Sequence, residues 1–277
     1  MDNLKKIITW ANNKPSIRAL ILSGSLAGMG RKDKFSDYDI AVYGDNFNFI
    51  LDDQWLLEIS TYLVCVHEKF EFMGHTIPTR LTIFDIDFNV DFSFHPLSLL
   101  ADMIEHKNLP DDYNIGYQIL LDKDELAIKM QKPSYKGFTL SKPDEAAFKN
   151  NADEFWFEVY HTAKYLYRDD LWAAKFRDWS AKKWMREMLQ WEHACKLNWD
   201  FSPKNDGKNM KDWIDQKIWE GLFLCFGTFD KQNSLEALEN TIKIYRAAAT
   251  AVAKHLGYAH GQKSDEAISN FVKSLLH

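Results

Sequence analysis

The chain opens with an amphipathic stretch over residues 1–12, whose spacing predicts a helix stopped before Pro15. An apolar run, Ile17 to Leu22, then leads into Ser23-Gly24-Ser25, the pattern of a buried strand entering a tight turn. A short helix is expected over 26–31 and a charged loop from Arg31 to Phe35. Asp37 to Tyr43 alternates and is rich in β-formers, so it predicts the next strand, ended by Gly44-Asp45-Asn46. Trp55 to Cys65 predicts a helix, Thr79 to Phe84 a strand, and Asp85-Ile86-Asp87 a turn. Over 88–95 the pattern alternates again, with Phe88, Val90, Phe92 and Phe94 on one face and Asn89, Asp91 and Ser93 on the other. Pro96 opens a helix reaching about His106, and Gln118 to Leu121 predicts a further short strand.

The pattern changes between Pro133 and Pro143, which reads as a linker. Beyond it the periodicity is helical almost throughout, with helices expected over about 145–168, 171–196, 210–226, 234–256 and 264–276. Gly257 is placed to cap the fourth of these and Ser264 to begin the last. The expected class is α+β: a mixed β-sheet domain with flanking helices over residues 1–135, then a helical bundle domain over 144–277.

Composition removes several alternatives. The 277 residues are 46% hydrophobic and 27% charged, which supports packed cores. The net charge of −6 argues against a nucleic-acid partner, which asks for a basic face. Cys65, Cys195 and Cys225 are too far apart for a CxxC metal or redox motif and read as reduced thiols. The first residues lack the apolar core of a signal peptide, and no apolar run reaches the roughly 20 residues that span a bilayer. The expectation is a cytoplasmic protein without a membrane partner.

The candidate chemistry lies in the first half. A Gly-Ser turn after a buried strand can offer backbone N–H groups and the Ser25 hydroxyl to a phosphate, and Gly24 lets the backbone approach closely. Asp37 and Asp39, two apart, point the same way from an extended strand. Asp91 adds a third carboxylate on the polar face of another strand. Three carboxylates and a phosphate-binding turn suit Mg²⁺, which takes a few carboxylates together with substrate phosphates. Together they point to nucleotidyl transfer from a nucleoside triphosphate, with Asp91 also able to act as a general base.

Ser23-Gly24-Ser25 with Ser36-Asp37-Tyr38-Asp39 resembles the signature of the nucleotidyltransferase superfamily. The Asp37-Tyr38-Asp39-Ile40 wording and the run Asp85 to Phe92 resemble the aminoglycoside 6-adenylyltransferases. In the helical half, Glu154-Phe155-Trp156, Ala163 to Arg168, Ala174-Lys175-Phe176, Met188 to Trp191 and Leu256-Gly257-Tyr258 fall in that family's order, so the resemblance covers nearly the whole chain. It implies a nucleotidyltransferase-type mixed sheet, and AMP transfer from ATP to a hydroxyl of an aminoglycoside, the 6-hydroxyl of streptomycin first, with Mg²⁺. It also implies two domains with a cleft between them, in a monomer or weak dimer. Two departures stand out. Leu26 occupies the position where the family carries Arg after Gly-Ser, with Lys32 or Lys34 the available cations, and the family's Gly-rich segment reads Ser202 to Lys208. Another acceptor, a protein hydroxyl or a different sugar, stays open as an alternative, as does a nucleotide-binding homologue with weakened turnover.

On the helix at 145–168, Glu154, Glu158, His161 and Tyr165 share one stripe beside the apolar stripe Phe155, Val159, Thr162 and Leu166. Glu154 and Glu158 are the expected contacts to a cationic aminoglycoside, Trp156 a candidate platform for sugar or adenine, and Lys164 a candidate triphosphate contact beside Lys34. Trp172, Trp179, Trp184 and Trp191 are expected mainly in the core.

Overall fold

A computed structural model describes residues 3–28, 32–135, 139–259 and 262–276. The chain divides into two compact units, Met1–Phe138 and Thr139–His277.

The first unit is built on six strands: β1 (Ile17–Leu22), β2 (Tyr38–Gly44), β3 (Val64–Phe72), β4 (His75–Asp85), β5 (Phe88–Pro96) and β6 (Gln118–Asp122). They form one mixed sheet in the order β3-β4-β5-β2-β1-β6. Only the β2–β5 pair at its centre is parallel; the remaining neighbours are antiparallel. Among the described residues its α-helices are α1 (Asn3–Asn12), α2 (Gly24–Ala27), α3 (Leu97–Glu105) and α4 (Asp111–Asn114).

Side-chain alternation gives the sheet two apolar faces. Ile40, Val42, Phe92 and Phe94 point to one side, where Ile7 and Trp10 of α1 and Trp55 close over them. Trp10, Trp55 and Phe92 meet with ring centroids 4.9–5.7 Å apart. Ala41 and Tyr43 point to the other side, against Leu99, Leu100 and Met103 of α3. Residues 39 and 91 belong by parity to this second face, at its outer end.

The second unit is helical: α5 (Glu145–Tyr167), α6 (Leu171–Lys196), α7 (Met210–Trp213), α8 (Gln216–Leu222), α9 (Lys231–Leu256) and α10 (Gln262–Ser274). Its core joins Phe155, Val159, Met188, Leu238, Ile242 and Tyr245, among others, and Phe155 stacks on Tyr245 at 3.5 Å between centroids. The Asp144 side chain caps α5 by accepting from the Ala147 N–H, and Gly257 ends α9 at φ +74.

The α+β class and the helical second half stand as expected. Several local readings differ. The helix expected over Trp55–Cys65 is a single 3₁₀ turn, Gln54–Glu58, and Val64 already begins β3, an edge strand with most residues exposed. The stretch 210–226 is broken, because Ile214 is extended and Asp215 starts a new helix by capping the Lys217 and Ile218 N–H groups. The last helix starts at Gln262, so Ser264 lies inside it. The expected helix at 26–31 is α2 up to Ala27, and residues 29–31 lie outside the described residues.

Candidate functional site

The candidate site forms where β1 and β2 meet the turn between them. β1 ends at Leu22, and the Ser23 N–H donates to the Asp39 carbonyl at 2.9 Å, which fastens the turn to the first residues of β2. Gly24 follows with φ +65, a left-handed conformation costly for other residues. Space makes the same demand: a Cβ on Gly24 would lie 1.8 Å from Asp39 Oδ2 and 2.7 Å from its Cγ. The backbone of the Gly-Ser turn is thus laid directly on the Asp39 carboxylate. Ser25 is the second residue of α2, which closes when the Gly28 N–H donates to the Gly24 carbonyl at 3.0 Å.

Asp39 and Asp91 are Cα partners in the parallel β2–β5 pair, so their side chains leave the same face side by side. Both are half-buried. Asp37 is exposed and stands just before β2 begins. The loop leading to it is braced locally: the Ser36 hydroxyl accepts from the Asp33 N–H at 3.0 Å, and the Asp33 carboxylate accepts from the Phe35 N–H at 2.9 Å. Two of the three expected carboxylates are therefore neighbours on adjacent strands, and the third stands at the mouth of one of them.

Deeper on this face the sheet stays polar. Ser93 Oγ lies 2.9 Å from Nε2 of His95, whose ring stacks on Tyr43 at 4.9 Å, and the Tyr43 hydroxyl meets that of Tyr113 at 2.7 Å. Burial holds the His95 pKa down at about 4, so the ring is neutral near pH 7, and among the described residues its Nδ1 has no hydrogen-bond partner. Burial likewise pushes both tyrosine hydroxyls well above their ordinary value. The Oγ1 of Thr79, cross-strand partner of Ser93, is also buried and unpaired.

Cations reach the turn in a way the sequence left open. Lys32 Nζ donates to the Leu26 carbonyl at 2.7 Å, bringing an ammonium onto the Gly-Ser turn, while Leu26 itself packs into the sheet core. Lys34 is exposed, with Nζ 4.7 Å from the Phe35 ring. A contact that sequence reasoning missed is Gly28 against Gly116. A Cβ on Gly116 (φ +142) would lie 2.9 Å from the Gly28 Cα, so two bare backbones touch behind the turn. Neither glycine has a periodic signal that would pair it with the other.

In the helical unit Glu154 and Lys164 are half-buried on α5, and Lys164 Nζ lies 5.3 Å from the Tyr165 ring. The other two expected residues need correction. Trp156 is 3% exposed, edge-on to Phe155 and Tyr245, and is a core residue rather than an open platform. Glu158 is 7% exposed and accepts from Arg177 at 3.0 Å, so its charge is already used inside the unit. The reason is common to both: α6, α9 and α10 all pack on α5, so its buried arc is wider than one apolar stripe. The tryptophans divide as well. Trp191 is buried, whereas Trp172 and Trp179 are 84% and 68% exposed.

Among the described residues, three metal-ligand atoms within 4.8 Å of one another occur at Asp53, Cys65 and His67. There the Asp53 carboxylate lies 2.9 Å from His67 Nε2 and pairs with Arg80, 3.6 Å from its Nε.

Comparison with known proteins adds to this geometry. A family model described as Streptomycin adenylyltransferase matches residues 1–275. The chain is similar to an aminoglycoside 6-adenylyltransferase of Campylobacter jejuni, 26% identical over 272 residues that cover 96% of this chain and 92% of the relative. One from Bacillus subtilis (strain 168) is 25% identical over 279 residues, covering 97% and 94%. Among solved structures, the crystal structure of an aminoglycoside 6-adenyltransferase from Bacillus subtilis aligns over 99% of this chain and 98% of its own, with a TM-score of 0.49 and 20% identity.

Proposed function

The chain belongs to the streptomycin adenylyltransferase family, and from that premise we propose that it transfers AMP from ATP to a hydroxyl of an aminoglycoside, with streptomycin and its 6-hydroxyl as the first candidate. The observation that carries this reading is the seating of the Gly24 backbone against Asp39 beside its cross-strand neighbour Asp91. A Gly-Ser turn beside two carboxylates supports the reading of a phosphate and metal site.

The donor set suits a hard divalent cation. Asp37, Asp39 and Asp91 offer only oxygen atoms, and the Cβ-free Gly24 lets the turn backbone lie against the Asp39 carboxylate. These three residues would hold Mg²⁺, which supplies charge neutralisation for the triphosphate when bound. The protein's own groups do the rest. The N–H groups of the turn and the Ser25 hydroxyl hold the phosphates, with Lys32 adding positive charge at the turn. Lys34 and Lys164 are further candidates for the triphosphate. In the reaction the acceptor oxygen bonds to the α-phosphorus, the bond from that phosphorus to the bridging oxygen breaks, and pyrophosphate leaves. Asp91 takes the proton of the acceptor hydroxyl. Glu154, half-buried on α5, is the candidate contact for a cationic amino or guanidino group of the drug.

The test is pyrophosphate release from ATP and Mg²⁺ across a panel of aminoglycosides, with the product located by mass spectrometry. Release with streptomycin and AMP on its 6-hydroxyl is the expected result. Release with no aminoglycoside in the panel would overturn the reading, and release only with a protein acceptor would move it to another branch of the same chemistry.

A further inference from the structure

The helical unit encloses a cavity of about 770 Å³ that the transferase reading does not use. It opens between α6 and the segment from Asp206 to Phe226, and every residue that lines it belongs to this one unit. Its size lies inside the roughly 300–1,000 Å³ of small-molecule sites.

The walls are aromatic. Trp179 on α6 lines it with Trp219, Phe223 and Phe226, Trp179 and Phe226 having ring centroids 6.3 Å apart, and the buried Met185, Leu189 and Leu222 complete the apolar lining. Three of the four rings are more exposed than large apolar side chains normally are: Trp179, Phe223 and Phe226. Aromatic faces left open around a concave apolar floor offer stacking surface to a planar ring.

The charges are one-sided. Lys182, Lys183, Arg186 and Lys211 line the cavity against a single carboxylate, Asp206. Lys182 is already paired with Asp178 at 2.5 Å and sits 5.0 Å from the Phe226 ring. Among the described residues Arg186, 30% exposed at its side chain, pairs with Asp206, at 3.4 Å and 86% exposed. A part-exposed guanidinium whose partner is itself open to water keeps donors for an anionic group. The same charges repel a polycationic aminoglycoside, so this is not the acceptor's pocket.

We infer that this cavity is a second ligand site, built for a small planar aromatic molecule that carries negative charge. The ring lies against the aromatic lining of Trp179, Phe226 and Trp219, and the anionic group meets Arg186 and Lys211. Nothing in this assignment depends on the reaction at Asp37, Asp39 and Asp91.

Two fluorescent probes of matched shape test it on the whole chain: 8-anilinonaphthalene-1-sulfonate, an aromatic anion, and N-phenyl-1-naphthylamine, its neutral counterpart. The anion should bind one to one and about tenfold more tightly than the neutral probe, the size expected of one charge-assisted hydrogen bond. Arg186→Gln should remove most of that preference while leaving the neutral probe's affinity unchanged. Should Arg186→Gln melt early, Lys211→Gln, at an exposed position, carries the test and should lower the preference at least about threefold. Asp39→Asn should change neither probe. Equal affinities for the two probes, an anion preference that survives Arg186→Gln combined with Lys211→Gln, or loss of anion binding in Asp39→Asn would each overturn the assignment.

Discussion

Replacing Gly24 by Ala adds one carbon at the point where the turn touches Asp39. Two effects follow and differ in kind. An alanine at φ +65 costs about 1–2 kcal/mol of backbone strain. The new Cβ would also stand 1.8 Å from Asp39 Oδ2, far inside any van der Waals contact. The obstructing atoms end a short side chain, so the protein relieves the clash by swinging the carboxylate away, at small cost in stability. Function has no such escape, because the displaced group is the one placed beside Asp91. A catalytic group displaced by about 1 Å can lower the rate on the order of 100-fold. Gly24→Ala should therefore lose about two orders of magnitude in kcat/KM for pyrophosphate release. Its melting temperature should fall by only a few degrees, since about 1 kcal/mol moves a domain of this size by roughly 2–4 °C. Activity within about threefold of wild type would refute the argument that this contact positions the carboxylate.

Asp39→Asn and Asp37→Asn should each lower turnover by about 100-fold or more while melting as wild type, read by parallel activity and calorimetry. Glu154 and Glu158, four apart on one helix, should separate: Glu154→Gln raises KM for the aminoglycoside with melting unchanged. Glu158→Gln instead weakens the Arg177 pair and lowers stability by about 1–2 kcal/mol without changing KM. His95 provides a pH test. Its pKa is about 4 folded against an ordinary 6.5, so between those values the unfolded chain binds more protons and stability falls as pH falls. That contribution, ~3 kcal/mol, is present above pH 6.5 and gone by pH 4. Urea unfolding of His95→Gln should show a shallower decline across this window, and identical slopes would sink the assignment.

The strands that carry the site were legible because their patterns are strong. Ile17–Leu22 is a closed apolar run, and Phe88–Pro96 alternates phenylalanine and valine against polar residues. Alternation alone put Asp91 on the polar face. The parallel register that sets Asp91 beside Asp39 is a tertiary fact with no trace in either strand. β3 was hidden because it is an edge strand exposed on both faces, so Val64–Phe72 shows charged residues where a buried strand would show a repeat. Burial on α5 exceeds what its stripe shows for the opposite reason. An amphipathic stripe reports one packed face, and three helices converge here, taking in Trp156 and Glu158. The close approach of Gly24 to Asp39 could not be read at all, since a glycine in a turn looks the same whether it faces water or a carboxylate.

The pairing of Asp39 with Asp91 bridges about fifty residues of chain, with the whole β3–β4 hairpin between. A parallel pair cannot be closed by a tight turn, so neither carboxylate meets the other until the centre of the sheet has formed. An unfolded or half-folded chain accordingly has nothing to offer a ligand that needs both. Free energy gained from such a ligand accrues to the native state alone, growing as the logarithm of its concentration over its Kd. On the proposed reading of Asp39 and Asp91, saturation with substrate should protect the first unit from unfolding and from the proteases that act on opened chains, coupling how long the protein lasts to what it is given to work on.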